Sequence, residues 1–272
     1  NGIFDGQTWQ AGFAQTYIWQ ADKTAGYNGV AMLPVALYDS IMFGGNFVRN
    51  VCPVKGGRTF YGPNMYFLSN RNFTPQSDTI FVAEITGKLS DPASQFKLDM
   101  YHADLPYGLA PDARQTTFVK LATNDARVLS AFMENNIIQF ASNSIDFNYN
   151  TAGVYHGIIT PADDPAARTV KGHIISDPDY DYAFPNLSPT GTTPFSIQSI
   201  ISFDHSSPID STGISAVFFD DTAHYSPVLQ IIRGEKTIRF FDSITTRWGD
   251  YTGSQPKYNE PGRVWISGIY AL

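Results

Sequence analysis

The sequence holds a single cysteine, Cys52, in 272 residues. A lone thiol excludes an intrachain disulfide and the paired-thiolate spacings of zinc and iron–sulfur sites, and leaves Cys52 as a small semi-buried apolar side chain. Charge is also scarce, at 16% of residues, where an average domain carries roughly a quarter. The 18 basic and 25 acidic residues leave a net charge of −7 with no basic cluster, which argues against nucleic acid as a partner. No apolar run approaches the ~20 residues of a membrane-spanning helix, so membrane insertion is not expected. No leader-like segment opens the chain, which starts at Asn1 as a processed exported protein or an excised fragment would. Long helical periodicity is missing too. The best helical candidate, 125–134, runs into Asn135-Asn136 and then into the β-type sequence 137–140, and that pair reads as a hairpin turned at the two asparagines.

What the sequence does have is apolar and aromatic mass, 43% and 14% of residues, enough to build a core without metal or disulfide staples. With few charges, its polar surface falls to Asn, Ser, Thr, Gln and Tyr, a composition common in secreted and cell-surface β proteins. Residues 1–272 read as one all-β domain. Short β-branched and aromatic runs alternate at a period of two across 79–85, 127–133, 137–141, 154–159, 196–203, 214–219, 228–232, 237–241 and 264–270. Clusters of Gly, Pro, Asn and Asp separate them. They group into units of similar grammar, one from 65 to 100, one from 128 to 159 and one from 197 to 232. Units recurring every ~40–60 residues predict a β-propeller of about five or six blades, each a four-stranded antiparallel sheet.

Near the C-terminus, Arg247-Trp248-Gly249-Asp250-Tyr251-Thr252-Gly253 is followed by 262–270, GRVWISGIY. Together they resemble the RWGDYSG segment of bacterial secreted and cell-surface β-propeller domains, and 182–187 with 199–207 is similar to a blade of the same group. Two features depart from the pattern, Asn259-Glu260-Pro261-Gly262 in place of an Asp-Gly turn and Ile269 where an acidic residue often precedes Tyr270. The resemblance implies a propeller and surface exposure, with no common reaction. Independently of it, Trp248, Gly249 and Asp250 suit a tight turn that either locks the fold or faces a ligand.

The acidic groupings come next. Asp177, Asp179 and Asp181 alternate in a Pro-bearing loop and are the best candidates for a hard cation such as calcium, although the Gly and distal Glu of an EF-hand loop are missing. Asp163-Asp164 and Asp220-Asp221 read as solvated turn residues. Enzyme signatures do not assemble: there is no Gly-x-Ser-x-Gly elbow, no HExxH and no Asp-box turn, and the five histidines read as polar or loop positions. A glycosidase could draw two carboxylates from Asp78, Glu84, Asp99, Asp146 and Asp204, which no motif pairs.

The expectation is therefore a secreted or cell-surface recognition domain that binds a glycan or a surface protein without catalysis. Tyr61, Tyr66, Tyr180, Tyr182 and Trp248 are the candidate ligand contacts, since such rings stack on sugars and anchor protein interfaces. The alternatives are a carbohydrate-active enzyme on a five-bladed propeller and a structural subunit of a surface assembly. Two carboxylates about 5–10 Å apart in one cleft would favour the enzyme, and a channel packed with Asn, Ser and hydrophobic side chains would favour binding or scaffolding. Closure of the ring is expected from the strand around Trp9 packing beside the one around Trp265.

Overall fold

The computed structural model describes residues 12–193, 195–240, 244–250 and 252–272, with the backbone of 2–4. The N-terminal part is a set of small antiparallel pairs. Gly2–Phe4 (β1) pairs with Phe13–Thr16 (β2), and Ile18–Ala21 (β3) with Val35–Tyr38 (β4) around a five-residue helix, Lys23–Tyr27 (α1); Met42–Phe43 (β5) pairs with Asn46–Phe47 (β6). Trp9 lies outside the described residues, so the expected pairing around it does as well.

Two short strands follow, Cys52–Pro53 (β7) and Lys55–Gly56 (β8), then a meander of Met65–Asn70 (β9), Ser77–Ile85 (β10) and Phe96–Tyr107 (β11). After Lys120–Ala122 (β12) comes a second meander, Val128–Glu134 (β13), Ile137–Ile145 (β14), Ala152–Thr160 (β15) and Thr169–Ile175 (β16). These form one nine-stranded sheet, ordered β7-β9-β10-β11-β16-β15-β14-β13-β8. Its edges meet in sequence. Cys52 and Pro53 pair with Leu68 and Phe67 of β9, the Val54 amide donates to the Tyr66 carbonyl, and Lys55 and Gly56 then pair with Phe132 and Met133 of β13. Five consecutive residues thus bridge the sheet's two edges and nearly close it into a barrel, satisfying edges that would otherwise invite aggregation.

Alternation along the strands sorts side chains into two populations. Inside, Leu68, Ile80, Val82, Tyr107, Met133, Ile138, Phe140, Tyr155 and Ile159 fill the barrel. Outside, Phe67, Phe81 and Ile85 pack under Ile18, Ile41 and Val48 of the N-terminal pairs. Also outside, Phe132, Ala141 and Val154 pack against a second sheet. That sheet is antiparallel and four-stranded, Asp181–Pro189 (β17), Ser199–Ser206 (β18), Gly213–Phe219 (β19) and Leu229–Ile232 (β20), in that order. Thr245–Arg247 (β21) pairs with β12 in parallel, and Gly253–Pro256 (β22) forms a hairpin with Val264–Ser267 (β23).

The all-β expectation holds, and the local units are where the sequence placed them. The β13–β14 hairpin turns at Asn135 and Asn136, both at positive φ, with Glu134 opposite Ile137. Such a turn matches the twist of the strands it joins. Assembly of the units differs from expectation: the ladders of the described residues do not show five or six four-stranded blades. The first two units join edge to edge, because the twelve-residue β11 reaches β16 at Ala103↔Val170. Residues 237–240 form no strand, and Phe241 is outside the described residues.

Candidate functional site

One end of the barrel is formed by the start of β9, the ends of β10, β13 and β15, and the loop 161–168. Glu84 continues the inward row of Ile80 and Val82 and would be an unpaired charge there; Arg168, fully buried, meets it at 3.1 Å. The same guanidinium donates to the Ala162 carbonyl (2.8 Å) and the Tyr101 hydroxyl (3.2 Å) and lies 5.5 Å from the Tyr66 ring. Burial disfavours its charge, but the Tyr101 and Glu84 hydrogen bonds outweigh this and hold its pKa above the ordinary value. Asn64 donates to the other Glu84 oxygen at 2.5 Å. The ion pair therefore plugs the barrel and fixes the floor of a cleft outside it.

That cleft, about 390 Å³, is lined by Phe60, Tyr61, Asn64, Tyr66, Asn136 and Asp163, among others. The Tyr61 and Tyr66 ring centroids are 5.8 Å apart, and the Tyr61 hydroxyl donates to the Val54 carbonyl. Two of the five expected ligand contacts thus border one cleft, Tyr61 half-buried on its wall and Tyr66 buried beneath it at 3% exposure, where it supports the floor more than it offers a ring face. Phe60, not singled out from sequence, is 88% exposed. It also lines a second cleft of about 440 Å³ between the barrel, the β17 end and the loop 255–263. Asp163 exchanges hydrogen bonds with Asn136 as a turn residue, and Asp220 and Asp221 likewise accept from neighbouring amides and side chains.

The other expected contacts lie elsewhere. Tyr182 is buried between the sheets, tilted on Phe203 at 4.7 Å, and Tyr180 donates to Asp210 at 3.0 Å. Trp248 is buried edge-on to Phe184 (5.7 Å), so its ring presents no face to solvent. Its neighbours Arg247 and Asp250 line a third cleft, of about 430 Å³, with Asn124, Asp125 and Arg127. The charges there are paired already: Arg127 forks onto Asp125 (2.8 and 2.5 Å), and Asp250 accepts from Arg247 and from Asn124. The segment of the propeller resemblance is therefore half turn and half cleft wall; Tyr251 is outside the described residues.

Asp177, Asp179 and Asp181 do not converge. Asp181 is buried, and its two oxygens accept from the Ala152 amide (2.9 Å) and from the Arg114 amide (2.8 Å) and guanidinium (2.7 Å). Asp177 accepts from the Asp179 amide at 2.8 Å. Among the described residues no three His, Cys, Asp or Glu side chains are grouped to hold a metal ion.

Of the glycosidase candidates, Glu84 and Asp99 are brought to one place, and the other three sit apart from them in different surroundings. Glu84 lies 3.1 Å and Asp99 3.9 Å from the Arg168 guanidinium, so the two carboxylates share one cation. Asp78 sits with His102 at the surface, and Asp146 caps its own turn. Asp204 is buried under Gly249 and Gly268 with one oxygen unpartnered; burial raises its pKa well above the usual carboxylate range, against one hydrogen bond from the Ile269 amide.

Two histidines read as polar positions are core residues. His156, wholly buried between the sheets, has Nε2 3.1 Å from Gln139 Oε1 and Nδ1 2.8 Å from the Tyr225 hydroxyl. Gln139 is oriented by its amide donating to the Ile197 carbonyl, so Nε2 carries the proton and Nδ1 accepts from Tyr225. Burial, then the nearby His173, pushes the His156 pKa down to about 3. His205, bonded to Ser215 at 2.7 Å, is lowered to about 4, mainly by burial. Both lack the solvent access that proton transfer to a substrate needs.

No protein-family model matches the chain, and neither a curated protein nor a solved structure does. Among the described residues no helix is long and apolar enough to cross a membrane.

Proposed function

We propose that this chain is a secreted or surface-displayed recognition domain that binds a glycan without cleaving it, at the barrel-end cleft of Phe60, Tyr61 and Tyr66. The observation that carries the reading is Phe60, an 88% exposed ring at the junction of two clefts, beside a tyrosine pair and the amides of Asn64 and Asn136. Rings give a sugar face an apolar platform, and amides satisfy its hydroxyls. Catalysis is disfavoured because the barrel interior is filled with apolar side chains and the carboxylates at its end are held by Arg168. The resemblance of 247–253 to a segment of surface propeller domains supports the surface-displayed part of the reading, and Trp248 and Gly249 pack against Phe184 and Asp204 of the four-stranded sheet. A glycan array run beside a hydrolysis screen tests the reading: bound glycans with no release of product support it, and turnover moves the chain to the carbohydrate-active enzymes.

A second reading, a structural subunit of a surface assembly, draws on a different observation. The outer face of the β3–β4 pair is apolar and exposed, with Trp19 opposite Leu37 and Ala21 opposite Val35. A concentration-dependent mass in analytical ultracentrifugation, abolished by Trp19→Glu, would favour it.

A further inference from the structure

The cleft on the far side of Phe60 differs from the tyrosine cleft in charge. In a chain of net charge −7, four of the 18 basic residues, Lys55, Arg58, Lys257 and Arg263, line this single opening. The carboxylate in its lining is Glu260, and that group is already paired with Lys257 and Arg263. Glu134 lies 4.0 Å behind Arg58, turned toward the Arg58 and Thr59 amides. Four cations less these two carboxylates leave two positive charges over, against the sign of the whole molecule. Tyr258, 87% exposed, lines the same opening. The walls come from parts distant in sequence: the barrel-closing segment supplies Lys55 and Arg58, and the loop between β22 and β23 supplies Lys257, Tyr258 and Arg263.

Resting on the glycan reading above, we infer that the ligand is an acidic saccharide, a chain carrying uronate or similar carboxylates, with one residue on the tyrosine side of Phe60 and an acidic residue in the basic cleft. A carboxylate between Lys55 and Arg263 meets the surplus charge, and the exposed rings of Phe60 and Tyr258 meet the apolar faces of the sugar, a combination that a bare anion would not use. Shared lining by Phe60 sets the two clefts side by side, so a ligand that reaches both is an oligosaccharide rather than a monosaccharide.

The test is isothermal titration of the full chain with a tetra-galacturonide and with its fully methyl-esterified form, which keeps the shape and removes the charge. The free acid is expected to bind at least tenfold more tightly than the ester, to weaken as salt rises, and to lose about tenfold in a Lys55→Gln/Arg263→Gln variant whose melting temperature is unchanged. Both changed side chains are exposed. Equal affinity for acid and ester, with binding still sensitive to Phe60→Ala, would overturn the acidic class and leave glycan recognition standing. Inorganic polyphosphate binding as tightly as the uronide and indifferent to Phe60→Ala would overturn the saccharide class. No binding of either oligomer by the parent chain overturns the inference, and an array blank for neutral and acidic glycans takes the glycan reading with it.

Discussion

A methyl group placed at residue 157 should damage the barrel out of proportion to its size. Gly157 faces inward on β15, directly opposite Phe140 on β14, and the buried Phe140 ring lies across it. A Cβ there would stand 2.0 Å from Phe140 Cζ and 2.2 Å from Cε1. The ring cannot retreat easily, since it also packs on Tyr155 at 6.0 Å. Overpacking of this kind costs about 1–3 kcal/mol, while replacing a strand glycine returns roughly 0.5–1 kcal/mol through the unfolded chain. An approach of 2.0 Å puts the overpacking cost in the upper half of its range, about 2–3 kcal/mol, so the net loss for Gly157→Ala is about 1–2.5 kcal/mol, or a fall of about 2–10 °C in melting temperature for a domain of this size. Chemical and thermal unfolding of Gly157→Ala, Phe140→Leu and the double variant would read it. The smaller side chain makes room for the methyl, so the pair should be less destabilised than the sum, by about 1 kcal/mol or more. An alanine variant melting with the parent, and additive effects in the double, would refute the filled barrel.

Three further outcomes are expected. His156 is held neutral well below its ordinary 6.5, so its contribution to stability is complete above that value and is lost as pH falls toward about 3; acid unfolding of His156→Gln should show a shallower limb between pH 6.5 and 4, by up to ~1.4 kcal/mol per pH unit. Asp204 has the opposite sign: its folded pKa is raised, so its stability is complete below the unfolded value near 3.8 and is lost as pH rises through the folded pKa. The melting temperature of Asp204→Asn relative to the parent should therefore climb from pH 4 to pH 9, and a constant difference would contradict the unpartnered carboxyl. Finally, Asp181→Ala should cost about 1–3 kcal/mol by leaving the Ala152 and Arg114 amides without their buried acceptor, while the Arg114 guanidinium, 36% exposed, can return to water.

The parts of this fold written in local sequence were legible. Asn135-Asn136 announces its hairpin, and the three strand units occur as antiparallel neighbours where their alternation puts them. Closure was not legible, because it rests on residues 52–56, a run with Pro53 and Gly56 that reads as a turn and pairs to both sides only in three dimensions. The strand β16 hides behind Lys171, Gly172 and His173, and β17 behind Pro185 and Pro189; burial on a sheet overrides their weak β propensity. Tyr61 and Tyr66 could be picked from the sequence since they are neighbours in it. Phe60 gains its meaning only from Asp163 on one side and Tyr258 on the other, almost 200 residues away. Arg168 and Glu84, 84 positions apart, form a pair that no spacing rule finds.

Titration of parent and Phe60→Ala chains with the best ligand from a glycan array, with reducing ends assayed in the same samples, bears most directly on glycan recognition at the barrel end. Loss of an exposed aromatic platform should weaken binding about tenfold, the ~1–2 kcal/mol typical of such a contact, with no new reducing ends and an unchanged melting temperature. Equal affinity in the two chains, or product released by the parent, would contradict it.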